Sequence, residues 1–371
     1  MKKPSYTRLL SVVLAIIVIL SMVGCTVSPD ATTCSTSPTA PTEISTPNES
    51  GNTLLPPVTP NRVSYKTLPS LIVRRDLTIT AGIGETVVIS QLTDIHLSYY
   101  NEEDLKDPVL KEAYEVYDWR KDNASLENFQ RTLSAAAKDS DLIVVTGDLY
   151  NYYSQGNMET LKEHLFDKYS NAIATLGNHD VDRQPDNCTL EDPVSYDELR
   201  VTIAAGWGND ITYVSQIIKD KVMVIALDNG SFHFLPEQVP LLTADLQKAR
   251  ENGYVVLLFY HLPLLTGDVA DNKTYADSKY SSKSPNFAAK LGINPNSEFI
   301  GPHSTGTDKE IYDLITNNGD IIYGAFCGHI HGDFYTEIHA KTAAGEEIMI
   351  PQYLIQSVAY DKGHYLKITI E

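Results

Sequence analysis

The chain has 371 residues, with 29 Lys or Arg against 48 Asp or Glu, a formal net charge of −19. Such acidity argues against a basic face for nucleic-acid backbones, and four cysteines are too few for a disulfide framework.

The N-terminus carries Lys2, Lys3 and Arg8, then the apolar run Leu9 to Leu20, then "SMVGC" ending at Cys25. A charged start, a short apolar stretch and small residues before a cysteine form an export signal over residues 1–24. The pattern resembles a bacterial lipoprotein signal, in which Cys25 is lipidated and becomes the new N-terminus. Met22 stands where that pattern usually has Leu, and an uncleaved N-terminal anchor is the alternative. Both arrangements place the body outside the cytoplasm, on a membrane through lipid or anchor. Residues 25–60 are rich in Ser, Thr and Pro and poor in large apolar side chains. They bury too little to offset their ordering entropy, so a disordered tether spanning about 30 Å or more is expected. Residues 61–371 then form one large domain.

Within that domain, apolar runs at 85–94, 141–148, 172–180, 221–228, 254–261 and 321–329 read as buried strands. Helical patterns lie between most of them. Residues 125–138 set Leu126, Phe129, Leu133 and Ala137 on one face, and residues 236–253 run from Pro236 to Gly253, with Pro240 in the first turn or so. Thr307 and Glu310 have the spacing of a capping box. The stretch from Asp333 to Glu371 alternates without helical period. The reading is α/β with an all-β tail. Cys188 and Cys327 are expected to be unpaired thiols, though one bridge between them is open.

Most of these strands end in unusual polar residues: "TDIH" (Asp94, His96), "TGDLY" (Asp148), "LGNHD" (Asn178, His179, Asp180), "LLFYH" (His261) and "FCGHIHGDF" (His329, His331). Carboxylates, an amide and imidazoles at the carboxyl ends of strands converge on one rim of a sheet and suit divalent transition metals. If the chain is extended past Cys327, His329 and His331 point the same way, and Gly328 and Gly332 let the backbone come close to something. Each residue alone is ordinary. An Asp at a strand end commonly caps a turn, and a His in an apolar run is commonly a hydrogen-bonded core residue. Five such endings in one order are not ordinary.

The order D-x-H, G-D, G-N-H-D, H, G-H-x-H, from about residue 85 to 335, resembles the calcineurin-like metallophosphoesterases. The resemblance implies a four-layer α-β-β-α sandwich of two mixed sheets with flanking helices and a dinuclear centre of divalent ions (Mn, Fe or Zn). It implies that Asp94, His96 and His331 hold one ion and Asn178, His261 and His329 the other, with Asp148 bridging. His179 would protonate the leaving oxygen or stabilise the transition state, and Asp180 would orient it. Two close ions supply a bridging hydroxide at neutral pH and attract a phosphate that the acidic chain otherwise repels. The chain departs from two subfamilies. "LYNYY" after Asp148 lacks the acid and arginine of protein phosphatases, and Asn151 stands where purple acid phosphatases have a tyrosine ligand.

The expected activity is hydrolysis of phosphate mono- or diesters on a small substrate. The alternatives are a non-catalytic lipoprotein that binds metal or phosphate, and a nuclease, which the acidity disfavours. Tyr99, Tyr100, Tyr150, Tyr152 and Tyr153 either line the pocket mouth or pack loop on loop. Residues 266–306, with four lysines and four acids, form an insertion that either is inert or covers the site and selects the substrate, with His303 or a lysine.

Overall fold

The computed structural model describes residues 64–68, 72–117, 124–185, 188–208, 210–265, 299–359 and 362–371. The expected signal, Cys25, the tether and most of the insertion, 266–298, lie outside the described residues. No helix among the described residues is long and apolar enough to cross a membrane.

Twelve strands form two six-stranded sheets. The first contains β1 (Ser64–Leu68), β2 (Ile72–Ile79), β3 (Val87–Leu92), β4 (Leu142–Thr146), β5 (Ala172–Thr175) and β12 (Gly363–Ile370), ordered β1-β2-β12-β3-β4-β5. The second contains β6 (Tyr213–Ile218), β7 (Val222–Leu227), β8 (Val255–Phe259), β9 (Ile322–Cys327), β10 (Phe334–Lys341) and β11 (Glu347–Leu354), ordered β10-β11-β9-β8-β7-β6. Both sheets are mixed. In the first, β3, β4 and β5 are parallel neighbours and β12 runs antiparallel to β3. In the second, β7, β8, β9 and β11 are parallel neighbours, with β6 and β10 antiparallel at the edges.

The strands read as continuous apolar runs because both of their faces are covered. Along β4, Leu142 and Val144 face the second sheet, whereas Ile143 and Val145 face helices. Along β7, Val222 and Val224 face the first sheet, and Met223 and Ile225 face the other helix layer. After a short helix α1 (Pro108–Tyr117), the helices on the first sheet are α2 (Ala124–Ala136), α3 (Gln155–His164) and α4 (Tyr196–Trp207), which pack into its apolar cluster. Those on the second are α5 (Gln238–Asn252) and α6 (Gly306–Thr316). The expected four-layer sandwich is the architecture found, and the β10–β12 region is all-β as expected.

One local expectation changes. Helix α6 begins at Gly306 after Thr305, so Thr307 lies inside its first turn and does not cap it. A true capping box sits elsewhere, at Ser195 and Glu198 before α4, a helix that the apolar pattern did not single out. Cys188 and Cys327 are free thiols.

Candidate metal centre

The candidate ligands stand just beyond the carboxyl ends of β3, β4, β5, β8 and β9, where the two sheets meet. The loops leaving β3 and β4 continue to pair past the strand ends. Asp94 N–H donates to the Gly147 carbonyl (3.0 Å), His96 N–H to Asp148 (2.9 Å) and Leu97 N–H to Leu149 (3.0 Å). Polar side chains tie the sheets together at this edge. Gln91 Nε2 donates to the Cys327 carbonyl (3.2 Å) and Thr175 Oγ1 to the Leu227 carbonyl (2.8 Å).

Five of the seven expected metal ligands have left-handed backbones: Asp94 (φ 52°), His96 (47°), Asp148 (49°), His329 (69°) and His331 (51°). Such conformations are uncommon outside glycine and cluster where a site over-determines them. This also corrects the reading of "GHIH" as extended. His329 and His331 lie in a turn beyond β9, and their rings reach two different groups of donors. One group is Asp94, His96, Asp148 and His331; the other is Asp148, His261 and His329, the ligand atoms in each lying within 4.8 Å of one another.

Asp148 belongs to both groups through one oxygen, Oδ2, which is 3.6 Å from His96 Nε2 and 3.2 Å from His261 Nε2. Its other oxygen accepts the His179 N–H (3.0 Å). His96 Nε2 and His331 Nε2 face each other at 2.9 Å, and Asp94 Oδ1 is 3.1 Å from the latter. Imidazole nitrogens and carboxylate oxygens pointed into one small space are arranged for a cation. Asn178 is next to this cluster through its neighbours: a Cβ on Gly177 would meet Asp148 Oδ1 at 2.3 Å. The Asn178 Oδ1 atom is buried with no hydrogen-bond partner among the described residues, as a donor to a metal would be. Two carboxylates, an amide oxygen and four imidazoles fit divalent transition ions.

The supporting contacts fix ring orientation. His261 Nδ1–H donates to the Thr146 carbonyl (2.8 Å), which turns Nε2 toward Asp148. Asn229 Oδ1 accepts the N–H groups of His261 (3.1 Å) and Leu262 (3.0 Å). Both Asp94 oxygens accept the His329 N–H at 3.1 Å, Thr93 Oγ1 donates to Oδ2, and Ser357 Oγ donates to the Asp94 carbonyl (2.7 Å). Gly328 permits this approach, since a Cβ there would lie 1.9 Å from Thr93 Oγ1 and 2.5 Å from Asp94 Oδ2. Two residues past His331, Asp333 is paired with Arg75, whose Nη2 donates to His364 Nδ1 (3.0 Å).

Electrostatics follow from these neighbours. Burial pushes the Asp148 carboxyl up, but His261, His179 and His96 together hold it well below its usual range. Asp94 is likewise lowered, burial being outweighed by His331 and His261. Burial pulls His96 and His329 down to about 3, so both rings are neutral at pH 7, as ligands must be. His261 is raised to about 9, Asp148 overcoming burial.

His179 lies beside the cluster, its ring centroid 4.8 Å from that of His96. Its Nδ1–H donates to the Asn151 carbonyl (2.6 Å). The Asp180 carboxylate accepts the N–H groups of Leu149 (2.8 Å), Tyr150 (3.0 Å) and Gly177 (2.8 Å), bracing the two loops that carry Asp148 and Asn178. Of the tyrosines, Tyr150 is fully buried against Tyr153 and Trp207, and Tyr100 packs on Tyr114. Tyr152 packs on His179, with ring centroids 4.9 Å apart. The described end of the insertion reaches the centre through Phe299, 5.8 Å from the His329 ring.

Sequence reasoning missed Asn229, Arg75, Asp333 and the buried pair of Arg200 Nε and Asp228 Oδ2 (2.7 Å). One signal was present: β7 also ends in polar residues, "LDNGS", in the manner of the ligand strands.

The chain belongs to the calcineurin-like phosphoesterase family, whose model matches residues 87–333. It is therefore a metal-binding phosphoesterase by class. Among solved structures it is similar to a dimetal phosphatase from Danio rerio, at 11% identity and a TM-score of 0.38, covering 74% of this chain and 88% of that one. It is also similar to the phosphopantetheinyl hydrolase of Mycobacterium tuberculosis, at 11% identity and a TM-score of 0.32, covering 74% and 91%. Comparison with curated proteins finds no match.

Proposed function

We propose that the chain hydrolyses phosphate mono- or diesters at a centre of two divalent ions. The observation that carries this reading is the position of Asp148 Oδ2, within reach of both His96 and His261 and common to two donor groups. Asp94, His96 and His331 hold one ion, Asn178, His261 and His329 the other, and Asp148 serves both. Two such ions supply a hydroxide at neutral pH and the positive charge that draws in and stabilises a phosphate. His179 acts on the leaving side. Its Nδ1–H is anchored on the Asn151 carbonyl, which fixes the ring that supplies the proton the departing oxygen takes up. Asp180 keeps the Asp148 and Asn178 loops together and moves no proton.

The test is metal analysis and turnover on the same preparation. Chain loaded with manganese is expected to retain two ions and to cleave nitrophenyl phosphate or a nitrophenyl diester, with activity abolished by chelation. Retention of two ions without turnover of any phosphoester would leave a binding protein instead.

The reading includes a location: residues 1–24 direct export, Cys25 carries lipid, and residues 25–60 tether a domain spanning 61–371. It rests on the charged, apolar and small-residue sequence before Cys25. Mass spectrometry of the mature protein is expected to find a lipid-bearing N-terminus at Cys25. Retention of Met1 would replace the lipid with an uncleaved anchor.

A further inference from the structure

Next to the metal centre lies a cavity of about 320 Å³ whose wall includes Asn178 and His179. Two aromatic rings lie where it meets the ligands. Tyr152 packs on His179, and Phe232 stands at 88° to the His329 ring, with centroids 6.0 Å apart. Tyr196, half exposed, also lines it. Phe232 has φ 65°, a left-handed conformation that is a genuine outlier for a bulky side chain. It is held there by a turn in which its N–H donates to the Asn229 carbonyl (2.9 Å). The turn is locked, because a Cβ on Gly230 would meet the Gly177 carbonyl oxygen at 2.6 Å. Strained backbone at a pocket wall is a feature of ligand clamps.

Among the described residues that line the cavity there is no Lys or Arg, and Asp182 contributes a carboxylate. A second phosphate or other anion is therefore unwelcome. The volume lies at the small end for ligand pockets and suits one ring better than a long chain.

We propose that this cavity receives the group esterified to the phosphate, and that Tyr152 and Phe232 select a flat, uncharged ring there. The proposal rests on the phosphoesterase reading above and adds its specificity. Benzyl and ethyl groups test it, because both derive from alkyl alcohols and differ chiefly in the ring. Calorimetry on manganese-loaded protein is expected to show benzylphosphonate binding about tenfold tighter than ethylphosphonate. The kcat/KM ratio for the corresponding phosphate esters follows the same preference. In Phe232→Gly, which removes the ring and suits the left-handed backbone, both ratios are expected to fall close to one. Tyr196→Ala, at an exposed rim position, lowers them less and provides a variant whose folding is not in question. Equal binding of the two phosphonates by the wild type, or ratios unchanged in both variants, overturns the proposal while turnover of either ester leaves the phosphoesterase reading standing. Absence of both turnover and phosphonate binding removes the two together.

Discussion

The two halves of the candidate centre are built by different means. Around Asp94, His96, Asp148 and His331, all four residues have left-handed backbones, and two imidazole nitrogens are pressed together at 2.9 Å. Around His261 and His329, only His329 adds a left-handed residue, and His261 is held by ordinary hydrogen bonds to Thr146 and Asn229. Exposure does not separate the halves, since His331 in the first and His329 and Asn178 in the second are each partly exposed. Left-handed conformations cost roughly 1–2 kcal/mol each, so the first half stores strain that a bound cation offsets. The second is shaped in advance by a brace. On the proposed two-ion reading, the first half would exchange its ion more readily than the second, and staged chelation is expected to remove one ion well before the other.

The strongest way to break this contrast is through the residue the halves share. Asp148→Asn is expected to lose both ions and at least about 10³-fold in kcat/KM, more than removal of any ligand confined to one half. Two ions per chain in that variant, at near-normal turnover, would take Asp148 out of the shared position. His179 belongs to neither half. His179→Ala is expected to keep its ions and lose about a hundredfold on an alkyl ester but less on a nitrophenyl ester, whose leaving group needs no proton. Equal losses on the two esters argue against the acid role.

Asn229→Ala sharpens the contrast by removing the brace from the second half alone. Outer partners of this kind are worth about 10- to 100-fold in metal affinity. Titration is expected to show the tightly held ion weakened by that amount and the other unchanged; weakening of both would mean that the halves are not separately built. The smallest effect lies outside both halves, where Arg75 contacts Asp333 and His364. Burial, Arg75 and Lys362 hold His364 down to about 3. The unfolded chain takes up this proton near pH 6.5, the folded chain only near 3, so stability falls as pH drops through that window. At pH 5.5 the loss attributable to His364 is about 1 kcal/mol relative to pH 7.5. Denaturant melts of His364→Gln are expected to show that much less acid sensitivity, and identical slopes for both proteins would exclude the group.

The candidate ligands were legible because a buried parallel strand appears in sequence as an unbroken apolar run, so a polar residue at its end stands out. "LIVVTGD", ending in Asp148, is such a case, and it gained meaning only beside the other four endings. Backbone handedness was not legible. Nothing in "GHIH" distinguishes an extended pair from the turn that sends His329 and His331 to different donor groups. Asn229 was missed for another reason: it acts on His261, far along the chain, and only the pairing of β7 with β8 brings them together. Asp180 was tied to His179 only through the family resemblance, and its oxygens also reach back to the loop after β4. Helix α4 announced itself through Ser195 and Glu198, a local signal that was present and passed over.

The position of β12 bears on when the protein acquires its site. This strand, the last in chain order, lies between β2 and β3, pairing Ile370 with Val87 and Leu366 with Gln91. The segment just before it places Ser357 on the Asp94 carbonyl. A ribosome delivers these residues after every candidate ligand has already emerged. During synthesis, then, β3 waits without one of its two neighbours and Asp94 without its hydroxyl support, and the centre can be completed only after translation has passed residue 370. A chain arrested before β12 is left with all its ligands and no finished seat for them.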